Sequence, residues 1–163
     1  MKTLLIVYHS LTGGTRQMAE AAAAGAAGEP AVRCRLLMAR DAGPQDVLDA
    51  QGYLFATPEN LAAVSGVMKD FFDRCYYPVL DQINGRPYAT LICAGSDGSN
   101  AARQIARIAT GWRLNAVAEP LIVCTHAQTK EAILAAKQIG AADLARCEEA
   151  GAALAAGLAL GVF

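Results

Sequence analysis

Charge is scarce in this sequence, and so are aromatic rings: charged residues make up 18% of the chain and aromatics 6%. Fourteen basic residues against fifteen acidic ones leave a net charge of −1. No run of Lys and Arg and no alternation of basic with aromatic residues occurs, which sets aside a nucleic-acid surface. The same balance leaves no excess charge for a strong field that would steer a partner. The five cysteines, Cys34, Cys75, Cys93, Cys124 and Cys147, are odd in number and widely spaced, with no CxxC. They read as small buried hydrophobes in a reducing, cytoplasmic setting rather than as a metal or redox site. His9 and His126 are the only histidines. No Ser-His-Asp set, zinc spacing or pair of catalytic carboxylates is recognisable, so no catalytic side chain and no metal ligand is assigned. Long apolar runs are missing too. Leu4–Val7 is too short for the core of a signal peptide, and the Ala- and Leu-rich stretch from 141 to 163 is interrupted by Arg146, Glu148 and Glu149. Neither a leader nor a membrane span is expected.

Apolar residues, by contrast, make up 54% of the 163 positions. That length suits one domain, residues 1–163, able to bury roughly two thirds of its unfolded surface. Five short apolar runs, Thr3–Tyr8, Val32–Met38, Gly52–Ala56, Tyr88–Ala94 and Ala116–Cys124, alternate with stretches of helical period. The clearest helical stripe is Val64, Val67, Met68, Phe71 and Phe72, with Lys69, Asp70 and Asp73 turned away. Ala101, Ile105, Ile108 and Trp112 form a second, and Thr15–Ala27 and the segment after Thr129 supply two more helices. Alternation of this kind implies βαβ crossovers and a parallel sheet covered on both faces. The first, third and fourth runs are nearly continuous, as central strands are. The second opens with alternating Val32-Arg33-Cys34-Arg35, and the fifth contains Glu119-Pro120, which marks an edge or a bulge. The expected architecture is a three-layer α/β/α sandwich on a five-stranded parallel sheet of order 2-1-3-4-5.

In such a sheet ligands bind beyond the carboxyl ends of the strands, where the order reverses. The loops after Tyr8, Ala56 and Ala94 therefore carry the candidate site. The first is Ser10-Leu11-Thr12-Gly13-Gly14-Thr15, followed at once by a helical segment. Its glycines let successive amides turn inward, its hydroxyls donate to anionic oxygens, and the helix dipole favours a dianion. The second runs from Thr57-Pro58-Glu59-Asn60-Leu61, and the third is Ala94-Gly95-Ser96-Asp97-Gly98-Ser99-Asn100, with a helix cap at Ser99 or Asn100. His9 reads as a capping or packing residue, His126 has no visible partner, and Glu59 reads as a solvated loop carboxylate.

Ser10–Thr15 resembles the flavodoxin phosphate signature [S/T]-x-T-G-x-T at every specified position. It departs from the dinucleotide G-x-G-x-x-G pattern and from Walker A, since no Gly-Lys-[Ser/Thr] follows. The second segment, through Ser65-Gly66-Val67-Met68-Lys69 to Asp73, is similar to NAD(P)H-dependent FMN reductases and related flavin quinone reductases. The resemblance implies a flavodoxin-like fold, bound FMN, and NAD(P)H as reductant. It assigns the cofactor phosphate to Ser10, Leu11, Thr12, Gly13, Gly14 and Thr15. It places Thr57, Pro58, Glu59, Asn60 and Leu61 along one side of the flavin ring, with Ala94, Gly95, Ser96 and Gly98 at its pyrimidine edge. The shielding tyrosine of flavodoxins is absent from the third loop, and Asn60-Leu61 stands where many relatives carry an aromatic residue.

Two functions follow from the resemblance. One is an NAD(P)H-dependent oxidoreductase relaying electrons through FMN to a quinone, a flavin or another small-molecule acceptor. The other is a non-enzymatic flavodoxin-type carrier that passes single electrons to a redox protein. The few covering aromatics and the apolar segment Leu158–Phe163 predict a homo-oligomer.

Overall fold

A computed structural model describes all residues from Met1 to Phe163. The parallel sheet is built from β1 (Lys2–Tyr8), β2 (Val32–Met38), β3 (Gly52–Asn60) and β5 (Pro87–Ala94), with β6 (Asn115–Ala116) and β7 (Leu121–Cys124) at one edge. β1 lies between β2 and β3, β5 pairs with the far side of β3, and both edge strands pair with β5. The expected fifth strand is thus one strand in two pieces. Its interruption contains Pro120, which has no N–H to give the ladder. The order 2-1-3-4-5 holds once the two pieces are counted together.

A second departure bears on the site. β3 continues through Thr57, Pro58, Glu59 and Asn60 and turns back into the short antiparallel β4 (Ala63–Val64). What reads as a loop is a hairpin. Val64, which fits the helical stripe by spacing, belongs to that hairpin, and the helix starts after Ser65 as α3 (Gly66–Val79). Lys69, Asp70 and Asp73 do face solvent.

The connections place α2 (Pro44–Asp49), α3 and α4 (Ser99–Gly111) on one face, and α1 (Gly14–Ala26) and α6 (Ala141–Leu160) on the other. Alternate residues of β1 feed the two cores: Leu5 and Val7 one, Leu4, Ile6 and Tyr8 the other. Most of the scarce large rings are concentrated in the first core. Phe55 meets Phe72 at 5.0 Å between centroids, and Phe72 meets Trp112 at 5.3 Å, both edge-on. The second core relies on small residues. Gly25 and Gly151 let α1 and α6 meet backbone to backbone, because a Cβ on either would overlap a carbonyl of the opposite helix, Glu148 or Ala22. No helix is long and apolar enough to cross a membrane.

Candidate functional site

β1 delivers the chain to the carboxyl edge of the sheet at Tyr8, between the ends of β2 and β3. Gly13 then takes a left-handed conformation, φ 93°, and α1 begins at Gly14. The Gly13 amide donates to Ser10 Oγ at 3.1 Å, which curls the loop over the helix start. Gly14 is required by close approach: a Cβ there would lie 2.7 Å from Cys93 Sγ at the end of β5. Thr15 is buried and its hydroxyl engages the Cys93 thiol. Burial pushes that thiol's pKa up, against a smaller opposing pull from Thr15. The floor beneath the loop therefore carries no thiolate at neutral pH.

The N-terminus of α1 differs from every other helix start in the molecule. Ser65 Oγ accepts from Met68 N at the start of α3, and Thr129 Oγ1 accepts from Ala132 N at the start of α5 (Lys130–Leu134). Asp46 closes α2 by accepting from Gly43 N. Asp143 sits in the first turn of α6. Glu59 serves α4 from across the loop, accepting from Gly98 N at 2.9 Å through Oε1 and from Ala101 N at 3.2 Å through Oε2. The α1 start has no side-chain cap and no acidic residue in its first turn. Its free amides and dipole are thus left for an external anion.

A strap from the C-terminal half holds the loop in place. The Lys137 amide donates to Thr12 O at 2.9 Å. Gln17 Nε2 donates to Gly13 O at 2.9 Å and Lys137 O at 2.7 Å, while Gln17 Oε1 accepts from Ile139 N at 3.0 Å. Lys137 Nζ folds back on α5, donating to the carbonyls of Ala132, Ile133 and Ala135. Its charge closes the helix end instead of pointing into the loop. The strap brings Ile133 and Leu134 over the cleft. Sequence reading missed Gln17, Lys137 and these two apolar side chains, because no local pattern links positions 120 residues apart.

Of the residues expected in the site, Ser10, Leu11, Thr12, Gly14 and Thr15 line this cleft together with Pro58, Glu59, Asn60, Ala94 and Gly95. Gly13 supports the loop and lines a neighbouring cleft. Thr57 is buried below, its Oγ1 accepting from Ser65 N and donating to Pro58 O. Leu61 stands fully exposed at the hairpin tip, and Ser96 is exposed. Gly98, at φ 85°, packs under Ile122. The cap of α4 comes from Glu59 and from Asp97, which accepts from the amide and hydroxyl of Ser99. Neither Ser99 nor Asn100 supplies it, and Glu59 is not a solvated loop carboxylate. The Ser99 hydroxyl and amide hold the Asp97 carboxyl below the usual carboxylate range.

His9, half-buried beside the loop, places Nδ1 2.8 Å from Ser65 Oγ. Ser65 Oγ also accepts from Met68 N, so one hydroxyl joins the start of α3 to the imidazole beside the phosphate loop. Burial lowers the His9 pKa. His126 takes φ 58° and donates its amide to Gly95 O at 2.8 Å, tying the segment after β7 to the third loop.

A doubly wound sheet with an open helix N-terminus at its switch point defines a flavodoxin-like α/β protein. Comparison with known proteins agrees. The family model for NADPH-dependent FMN reductase matches residues 39–130, more than half of the chain, and the chain belongs to that family. A flavodoxin from Aquifex aeolicus is 34% identical over 98 residues, covering 60% of this chain and 53% of that protein. An NAD(P)H dehydrogenase (quinone) from Acidithiobacillus ferrooxidans is 30% identical over 94 residues, covering 45% of this chain and 47% of that protein. The chain spans about half the length of these curated relatives. Among solved structures, a flavodoxin from the domain Archaea superposes with a TM-score of 0.77 at 18% identity, covering 96% of this chain and 98% of that one. A flavodoxin, WrbA-like protein from Agrobacterium tumefaciens gives 0.75 at 19% identity, covering 99% of both. These likenesses establish the fold.

Proposed function

We propose that the cleft binds FMN and that the protein is an oxidoreductase passing electrons from NAD(P)H through FMN to a small acceptor, a quinone or a flavin. The observation that carries this reading is the α1 N-terminus, the one helix start left without a side-chain cap or an acid, behind a loop of three hydroxyls. The residues fit the group. Ser10, Thr12 and Thr15 and the amides of Leu11 and Gly14 would hold the phosphate without a basic side chain, with Gly13 shaping the loop through its bond to Ser10 Oγ. Thr57, Pro58, Glu59, Asn60 and Leu61 would border the ring on the hairpin side, and Ala94, Gly95, Ser96 and Gly98 on the β5 side. Bound FMN would supply hydride acceptance and return of electrons singly or in pairs.

The chain's own part is positioning and access. Glu59 fixes the spacing between hairpin and third loop, the two walls between which a planar ring would sit. Ile133 and Leu134 would shed water from the phosphate end. The family match and the quinone-reducing relative favour an enzyme over a carrier. A homo-oligomer that completes the exposed hairpin side belongs to the same proposal, and light scattering giving a 17.0 kDa particle would remove it.

The test is a titration of protein into FMN followed by flavin fluorescence, with riboflavin in parallel. The reading requires saturable FMN binding and much weaker riboflavin binding. Anaerobic NADPH or NADH should then bleach the visible absorbance of the bound flavin. Absence of saturable FMN binding would end the cofactor assignment.

A further inference from the structure

A second cleft of about 330 Å³ lies on the β2 side of the phosphate loop and shares Ser10 and Leu11 with the first. We propose that this cleft is the subsite for the adenosine 2′-phosphate end of NADPH, gripped by Arg16 and Arg40. The inference rests on the oxidoreductase reading and assigns to it a substrate subsite.

The cleft combines two features seldom found together on a small surface. Its walls expose large apolar side chains, Met38 at 41% and Leu11 at 74%, with Val67 from the first turn of α3 opposite. Two cationic residues, Arg16 from α1 and Arg40 from the turn after β2, line it as well. Each arginine has one carboxylate nearby, Glu20 at 3.7 Å and Asp41 at 3.6 Å, and all four side chains are more than half exposed. Such contacts are weak and leave both cations available. An apolar slot flanked by planar cations suits a heterocycle bearing a phosphate monoester: the base stacks on the slot, and guanidinium forks take the phosphate.

The geometry also separates this ligand from FMN. Gly13, whose amide is committed to Ser10 Oγ, forms part of the wall, so the free α1 amides serve the first cleft. His9, held neutral by burial, adds no charge. The anion grip is therefore arginine alone. The shared wall at Ser10-Leu11 makes the two clefts contiguous, which a dinucleotide needs if its far end is to reach the mononucleotide. NADH has no 2′-phosphate and forgoes the grip.

The experiment is calorimetric titration of 2′,5′-ADP into the protein, with and without FMN, with 5′-AMP as the parallel ligand, for wild type, Arg40→Gln and Arg16→Gln. Both side chains are exposed, so the variants keep the fold. The expected result is saturable 2′,5′-ADP binding that FMN does not compete away, with 5′-AMP weaker by about tenfold. Each variant should weaken 2′,5′-ADP by about tenfold and leave FMN affinity unchanged. Steady-state assays should show KM for NADPH raised in Arg40→Gln, with KM for NADH and kcat unmoved. Absent 2′,5′-ADP binding, equal binding by wild type and variants, or competition with FMN would each overturn the subsite. Failure of the FMN reading shows separately in the FMN titration, and the nucleotide titration of the FMN-free protein still decides the arginine pair.

Discussion

Glu59 reaches across the cleft to Gly98, its Oε1 accepting the Gly98 amide at 2.9 Å while Oε2 accepts Ala101 N at 3.2 Å. One carboxylate thereby joins the end of β3 to the start of α4, two walls of the candidate flavin site. It also offsets the dipole of that helix. Glu59→Ala should cost about 2 kcal/mol of stability, since it orphans two amides that bond a charged acceptor. Glu59→Gln, which retains an acceptor and loses the charge, should cost about half of that. Urea unfolding of the two variants checks the order. Equal stability for Glu59→Ala and wild type would mean that water serves the amides as well as the carboxylate does.

The contact between Gly14 and Cys93 makes a coupled prediction. A methyl at position 14 would stand 2.7 Å from Cys93 Sγ, so the loop or the strand end must shift. Gly14→Ala should destabilise the protein by about 2 kcal/mol and weaken FMN binding. Cys93→Ala removes the obstructing sulfur, and the double variant should recover a large part of both losses. Simple additivity in the double-mutant cycle would show that the two positions do not press on each other.

What could be read from the sequence is what local pattern encodes. β2 begins and ends where its apolar run does, and Ser10–Thr15 lies in one continuous piece at a helix start, so strand and loop are visible without the fold. α2 is six residues long, too short to show a helical period, and only Pro44 and Asp46 mark it. The hairpin of β3 and β4 was hidden for two reasons. Pro58 argues against a strand interior, and Leu61-Ala62 lacks the Asn or Gly that announces such a turn. Glu59 and Gln17 are polar residues whose decisive partners arrive through tertiary packing, 39 to 122 positions away. Arg16 and Arg40 likewise meet at one cleft only because β2 lies beside β1.

That hairpin turn gives the third prediction. Leu61 and Ala62 both lie in the left-handed region, at φ 50° and 58°, the geometry of a tight two-residue turn. Each pays about 1 kcal/mol for a conformation its Cβ disfavours. Both are exposed, and the Ala62 carbonyl is held by Asn100 Nδ2, so the strained turn is tethered through its backbone. Ala62→Gly keeps that carbonyl and should raise stability by about 1 kcal/mol. Chemical denaturation decides the point, and a loss of stability would contradict a left-handed turn at these residues.

His9 supplies a pH dependence whose sign is fixed by burial. Its pKa is lowered in the folded protein, whereas the unfolded chain titrates near the ordinary value of about 6.5. Between those two values the unfolded chain holds a proton that the native state lacks, so stability rises with pH through the window. The contribution is fully present above about 6.5 and is lost as pH falls through the lowered value. His9→Asn should remove this component from the stability profile. Histidine proton resonances read the same event directly, because His126 is the only other histidine and the variant assigns the signals. FMN then acts in the opposite direction. A phosphate dianion seated on the adjoining loop favours the imidazolium, so the His9 titration should move to higher pH when FMN is added. A His9 resonance that titrates identically with and without saturating FMN would place the phosphate away from Ser10–Thr15.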